Sequence, residues 1–425
     1  MPKLSAMVIP TIIVSEKRQN IRRRHRWSHV SDWHIPCNAP CRLCGVSLVS
    51  LYIWLLHRVI SYDPHIHCQK DESLSVPTLP KIPPPLVPPD MMDPAFGSST
   101  SRPWYYPSPL MLTWQSNQHA HNQDRAIFYP TFPTQQSVAD PSRSDDAHTS
   151  FLVGLFDGHG RDGHLMAEFV TKNFAAVLAT KLNALPCCQS DDWIAQQLND
   201  TFYEMEEQAV LLSLVDPSND FAFTGGCTAS VTMRLGQRLF FANAGDSRTM
   251  LVSHFAHTWI QHDPYTVNVT YSTRLDKADL PEERGRIQGL GGRIYIPPLD
   301  SPKPSRVVLY SQHLQDQVAL AMSRSLGDHE WTAIGVTPEP IVDVIQLDRV
   351  ESAVAQPYLI VASDGLWDCR ARRPQFFAKQ IGAILFQNDL SYKQASEKLR
   401  DLIQQVTPQN KNWYRDDITV IAFRL

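Results

Sequence analysis

The chain has 425 residues, a formal net charge of −4, 43% hydrophobic and 19% charged residues. That length and composition suit a globular core plus additional segments. The slight acidity argues against a general nucleic-acid binder. Eight cysteines in so long a chain exclude a small disulfide scaffold and favour a reducing compartment.

Residues 1–76 read as an N-terminal leader or extension. Lys17–Arg26 is a basic run, and Glu16 and Asp32 are the only acids before Asp63. Such a start fits a mitochondrial presequence or a basic tail. The mitochondrion is the first expectation for location, with cytoplasm or nucleus otherwise. The apolar stretch Val46–Leu56 falls short of the ~18 residues of a spanning helix. It reads as a buried or interfacial helix or a short anchor, the one segment through which membrane contact is expected. Cys37, Cys41 and Cys44 have a spacing that can hold zinc or an iron–sulfur cluster; free thiols are the preferred reading. Residues 77–109 carry Pro77, Pro80, Pro83–Pro85, Pro88, Pro89 and Pro94. Proline removes backbone donors and favours extended chain, so this is a linker rather than a core.

Residues 110–425 carry the folded pattern. Apolar runs predict strands at 126–129, 151–156, 228–235, 238–242, 358–362 and 418–423. Leu165, Met166, Phe169, Val170, Phe174, Val177 and Leu178 mark one helix face; Ile194, Leu198, Phe202, Met205 and Ala209 mark another. Ser391 and Gln394 predict a capping box ahead of a C-terminal helix. Strand pairs adjacent in sequence favour antiparallel sheets with helices packed on them, an α+β fold.

The aspartates fall at strand tips. Asp157, Asp246 and Asp364 follow apolar runs, whereas Asp124 and Asp416 precede them. In antiparallel neighbours the end of one strand lies beside the start of the next, so all five can meet on one edge. Each aspartate alone is an ordinary turn or cap residue. Together they would repel one another unless a cation neutralised them. An all-oxygen set suits Mg²⁺ or Mn²⁺, and two such ions can activate water and clamp a phosphoryl group.

Six segments resemble, in order, the metal-dependent serine/threonine phosphatases of the PP2C (PPM) family. They are FLVGLFDGHG at 151–160, GGCTASVTMRLGQRLFFANAGDSR at 225–248, LAMSRSLGDHEW at 320–331, VTPEPIV at 336–342, YLIVASDGLWD at 358–368 and RDDITVIAF at 415–423. RDGHLMAEFV after the first is similar to plant and fungal variants. The resemblance implies a four-layer αββα sandwich, two antiparallel sheets flanked by helices, with the metal centre at one sheet edge. It implies hydrolysis of phosphoserine and phosphothreonine on proteins by a metal-bridged hydroxide with no phosphoenzyme, two Mn²⁺ or Mg²⁺ ions with a third weaker one, and phosphoprotein substrates met by a monomer.

Residue by residue, Asp157 resembles the bridging carboxylate, Gly158 offers a backbone carbonyl, and Asp364 and Asp416 match the remaining carboxylate ligands. Asp124 is similar to the acid that orients water, Asp246 to a ligand of the weaker site, and His159 to the proposed general acid. Three positions depart from the pattern. Gln123 stands where many members have Glu, keeping a carbonyl oxygen for metal but no charge. His119 stands where animal-type members carry a phosphate-binding Arg; Arg125 offers charge nearby. Asp417 replaces Asn and is expected either to attract a metal or to face solvent. Cys227 reads as a small core residue and Trp331 as packing. Arg248 and Arg324 read as ion pairs supporting the acidic motifs, and Asp263–Gly292 resembles the family's flap. A rival reading is an inactive, partner-binding scaffold, but the three carboxylates that such scaffolds tend to lose are present.

Overall fold

The structure is a computed structural model. It describes residues 109–425 except 116–120, 135, 137–149, 187–188, 217–219, 255–266, 299–303, 313, 348–354, 369–373, 388–389 and 407–415. The described residues belong to one unit, Val76–Leu425. The leader, Val46–Leu56, the three early cysteines, residues 77–108 of the linker and His119 lie outside the described residues.

In chain order the elements are β1 (Leu110–Trp114), β2 (Asp124–Tyr129), β3 (Ser150–Gly160), α1 (Gly163–Leu182), α2 (Asp191–Val215), α3 (Phe221–Thr224), β4 (Gly225–Cys227), β5 (Ala229–Leu235), β6 (Arg238–Ala244), β7 (Arg248–His254) and β8 (Val267–Ser272). There follow α4 (Pro281–Gly289), β9 (Arg293–Tyr295), β10 (Arg306–Ser311), β11 (Asp316–Leu320), β12 (Leu326–Gly327), α5 (His329–Thr332), β13 (Ile341–Gln346), β14 (Ala355–Ala362), α6 (Asp364–Trp367), α7 (Pro374–Leu385), α8 (Tyr392–Val406) and β15 (Ile418–Arg424).

One sheet has five strands in the order β1-β15-β14-β7-β8. The other has seven, in the order β12-β4-β3-β5-β6-β13 with β2 on β3. All strand pairs within them are antiparallel. Period-2 alternation sorts side chains between layers. On β3, Phe151, Val153 and Leu155 enter the core between the sheets, while Leu152 and Phe156 enter the core under α1 and α2. On β15, Ile421 and Phe423 point between the sheets, while Val420 and Ala422 join the core under α7 and α8. The central strands are thus buried on both faces, which is why they read as unbroken apolar runs. The architecture is the expected αββα sandwich.

Local signals act as their chemistry requires. Ser190 caps α2 by accepting from Trp193 N–H at 3.2 Å. The Ser391–Gln394 box is closed: Ser391 N–H donates to Gln394 Oε1 at 2.8 Å, and Gln394 N–H to Ser391 Oγ at 3.3 Å. Strand β3 runs past the apolar run at 151–156: Asp157–Gly160 continues it, pairing with β2 through Asp157 and with β4 through Gly158–Gly160. A separate three-stranded sheet, β11-β10-β9, packs with α4 around Ile287, Val307, Leu320 and Trp331. Among the described residues no helix is long and apolar enough to cross a membrane.

Candidate active site

The antiparallel registers bring the aspartates to one edge. Asp124 at the start of β2 lies directly opposite Asp157 on β3. Ala362 at the end of β14 pairs with Val420 near the start of β15, so Asp364 and Asp416 leave adjacent strands at the same end. Asp246 sits between β6 and β7, in the turn whose Gly245 N–H donates to Asp276 Oδ2 at 3.0 Å. Asp157, Asp246, Asp364 and Asp416, with Gln123, Gly158 and His159, line one cleft of 640 Å³.

This clustering shifts ionisation. Burial, then the charges of Asp124, Asp364, Asp416 and Asp246, pushes Asp157 well above the ordinary carboxylate range. Asp364 is raised in the same way, by burial first and then by Asp246, Asp416 and Asp368, partly offset by Lys277. Burial raises Asp124 to about 7 against opposing hydrogen bonds from Thr419 and Ser363; Ser363 Oγ donates to its Oδ2 at 2.9 Å. Asp246 Oδ2 meets Lys277 Nζ at 2.5 Å, while its Oδ1 is buried without a hydrogen-bond partner among the described residues.

Such a set fits hard divalent cations, whose charge would offset the mutual repulsion and whose preference is for oxygen. Gly158 leaves room for close approach: a Cβ there would lie 2.6 Å from the Gly163 carbonyl and 2.8 Å from the Gln123 carbonyl oxygen. Gln123 is fixed on three sides. Its N–H donates to Asp417 Oδ2 at 2.9 Å, its carbonyl accepts from Gly158 N–H at 3.3 Å, and its Nε2 donates to the Gly160 carbonyl at 3.1 Å.

Asp417 therefore corrects the expectation of a solvent-facing side chain. It is 2% exposed and its carboxylate orders the Gln123 backbone. Arg125 turns away: its guanidinium donates to the Asn122 and Asp124 carbonyls, both at 2.8 Å, and it does not line the cleft. Cys227 and Trp331 are buried packing residues. Arg324 Nη2 meets Glu283 Oε1 at 2.8 Å, as a supporting ion pair should.

Several residues escaped the sequence reading. Lys277 and Asp368 line the cleft, and Ser363 joins Asp124 to β15 by accepting from Thr419 N–H at 2.9 Å. His159 Nε2 lies 2.5 Å from Asp328 Oδ2. Burial alone would lower the His159 pKa, but the Asp328 charge and hydrogen bond outweigh it and raise it. No local motif signals that pairing, because the partners are 169 residues apart. Gly226 permits it: a Cβ there would stand 2.3 Å from Asp328 Oδ2 and 2.7 Å from His159 Nε2. Gly226→Ala is expected to push the pair apart and cost about 10²-fold in turnover, the scale of a 1 Å misplacement. Steady-state kinetics on a phosphopeptide, with circular dichroism as the folding control, checks this; turnover within about twofold of wild type would contradict it.

The family profile described as Protein phosphatase 2C matches residues 115–411. The chain belongs to the protein phosphatase 2C family. It is 30% identical over 263 residues to "Probable protein phosphatase 2C 41" of Arabidopsis thaliana, a match covering 58% of this chain and 64% of that relative. The chain thus spans less than two thirds of that relative's length. To "Probable protein phosphatase 2C 72" of the same plant it is 25% identical over 309 residues, covering 72% of this chain and 81% of the relative. The fold is similar to that of the serine-threonine phosphatase 2C from Toxoplasma gondii. That likeness has a TM-score of 0.54 at 19% identity, over 76% of this chain and 96% of that one.

Proposed function

We propose that this protein phosphatase 2C domain hydrolyses phosphoserine and phosphothreonine on proteins with two Mn²⁺ or Mg²⁺ ions. The observation that carries the reading is the convergence of Asp157, Asp246, Asp364 and Asp416 in the lining of one cleft. Asp157, with the Gly158 carbonyl, Asp364 and Asp416 would hold the pair of ions, and Asp246 with its unpartnered Oδ1 would serve a third, weaker position. When bound, the ions supply Lewis acidity that activates water and offsets phosphoryl charge.

The chain's own groups do the rest. Asp124, buried and held by Ser363, orients the attacking water through its carboxylate. The new bond forms from water oxygen to phosphorus as the bond to the seryl or threonyl oxygen breaks, and the proton the water sheds passes to the Asp124 carboxylate. That oxygen leaves with the bonding electrons and takes the proton held between His159 Nε2 and Asp328 Oδ2. No side chain becomes phosphorylated; Cys227 is buried, and its burial pushes the thiol well above its ordinary pKa.

The test compares a phosphothreonine peptide with a sugar phosphate at equal concentration in excess Mn²⁺. Preferential phosphate release from the peptide is expected. Faster release from the sugar phosphate would move the protein to small-molecule substrates, and release from neither would leave the scaffold reading.

A further inference from the structure

A buried carboxylate sits where the core is otherwise apolar. Helix α2 turns Phe202, Met205 and Ala209 inward, and Glu206 is buried beside them, 7% exposed. A buried charge is costly unless it is paired and hydrogen-bonded. Glu206 has a partner on each oxygen: Oε2 accepts from Gly327 N–H at 2.6 Å, and Oε1 lies 3.3 Å from His329 Nδ1. The His329 ring stands edge-on to Phe223 at 5.2 Å.

Both partners flank Asp328. Its backbone is left-handed at φ +53°, directly after Gly327 at φ +78°. A left-handed backbone is unfavourable for a residue other than glycine, so its surroundings must fix it. Glu206 holds it from both sides. The turn delivers Asp328 Oδ2 to His159 Nε2 at 2.5 Å, and the same oxygen accepts from Ser325 Oγ at 2.7 Å.

We propose that Glu206 is a positioning residue for the proton donor: it sets the 327–329 turn, the turn sets Asp328, and Asp328 aims His159 at the leaving oxygen. The inference rests on the phosphatase reading above. Its signature is selective. A departing seryl or threonyl alkoxide needs a proton in the transition state, whereas a nitrophenolate leaves without one. Misaiming the donor therefore slows phosphopeptide hydrolysis and spares an activated aryl ester. Loss of general structural support slows both alike.

The experiment uses the full chain with saturating Mn²⁺. It compares wild type, Glu206→Ala and Glu206→Gln on a phosphothreonine peptide and on p-nitrophenyl phosphate. Glu206→Ala is expected to lose about tenfold in kcat on the peptide, a part of the ~10²–10⁴ that a positioned acid contributes in full, but less than about threefold on the aryl ester. KM should change little, and Glu206→Gln, whose amide oxygen still accepts from Gly327, should recover most of the loss. Equal losses on the two substrates, or none on either, would overturn the proposal. Should Glu206→Ala not fold, His329→Ala releases one Glu206 oxygen from the more exposed side. A skew toward peptide loss of about threefold supports the proposal there, and the wild-type ratio overturns it. A wild-type chain that hydrolyses neither substrate overturns the phosphatase reading itself, a result distinct from an active wild type with unskewed variants.

Discussion

Asp157→Asn is expected to lose phosphatase activity by more than about a hundredfold, beyond the 10–100-fold typical of a residue one shell further from a metal. Asp157 is the carboxylate that the other four surround: it opposes Asp124 in register and feels Asp364, Asp416 and Asp246. Asparagine keeps the shape and removes the charge that would hold the ions. The same change should have the opposite effect on stability. A carboxyl whose folded pKa is raised above its unfolded value binds its proton more tightly when folded. Its ionisation therefore lowers stability as pH rises beyond the ordinary carboxylate range. At pH 7 without metal, Asp157→Asn should melt above wild type, and added Mn²⁺ should raise the Tm of wild type far more than that of the variant. Calorimetry with and without Mn²⁺ measures this. A variant that melts lower without metal, or retains activity within tenfold of wild type, would contradict the assignment.

Glu283→Gln is expected to cost about 3–5 kcal/mol of stability, the scale of breaking one side of a buried ion pair. At ~2.1 cal/mol/K per residue over a folded domain of about 300 residues, that corresponds to roughly 4–8 °C in Tm. The Glu283 side chain is fully buried and meets Arg274 and Arg324 at 2.8 Å and Arg286 at 2.6 Å. Ser323 Oγ donates to it at 2.6 Å. Through Ser323, whose N–H donates to the Asp276 carbonyl at 2.8 Å, this network ties α4 to the segment leading into Asp328. Burial would raise the Glu283 carboxyl, but hydrogen bonds from Arg286, Arg324 and Ser323 outweigh it and hold its pKa at about 2. Folded below unfolded means that its stabilisation is complete above the unfolded value of 4.5 and fades as pH falls towards about 2. The Tm gap between wild type and Glu283→Gln should therefore be widest near neutrality and narrow across that acid window. Neighbouring Asp276, raised to about 6 chiefly by burial, acts in the opposite sense, gaining for the folded state as pH falls below 6. A gap that does not change with pH would contradict the charge network.

What the sequence made legible follows from where periodicity and chain direction act together. The aspartate positions could be placed because each closes or opens a doubly buried strand, and antiparallel pairing sends those ends to one edge. The β5–β6 hairpin and the Ser391–Gln394 cap were legible because their chemistry is local. Edge strands were harder: β1, β8 and β13 are only partly buried, so their apolar pattern is diluted. Strands β9 and β11, in the small separate sheet, are mostly exposed and carry no such run. The supports of the site were illegible for another reason. Lys277 on Asp246, Asp328 on His159 and Asp417 on Gln123 are meetings between distant segments, separated by 31, 169 and 294 residues. Charge and spacing along the chain do not encode such pairings; the sheet registers create them.

In the proposed reaction, converging carboxylates hold the ions that make this fold a phosphatase. The most direct test is phosphate release from a phosphothreonine peptide by chain stripped with EDTA, followed by titration with Mn²⁺. Release that vanishes on stripping and returns with Mn²⁺, in wild type but not in Asp157→Asn, is the expected result. Release undiminished by stripping, or none at any Mn²⁺ concentration from a folded chain, would contradict it.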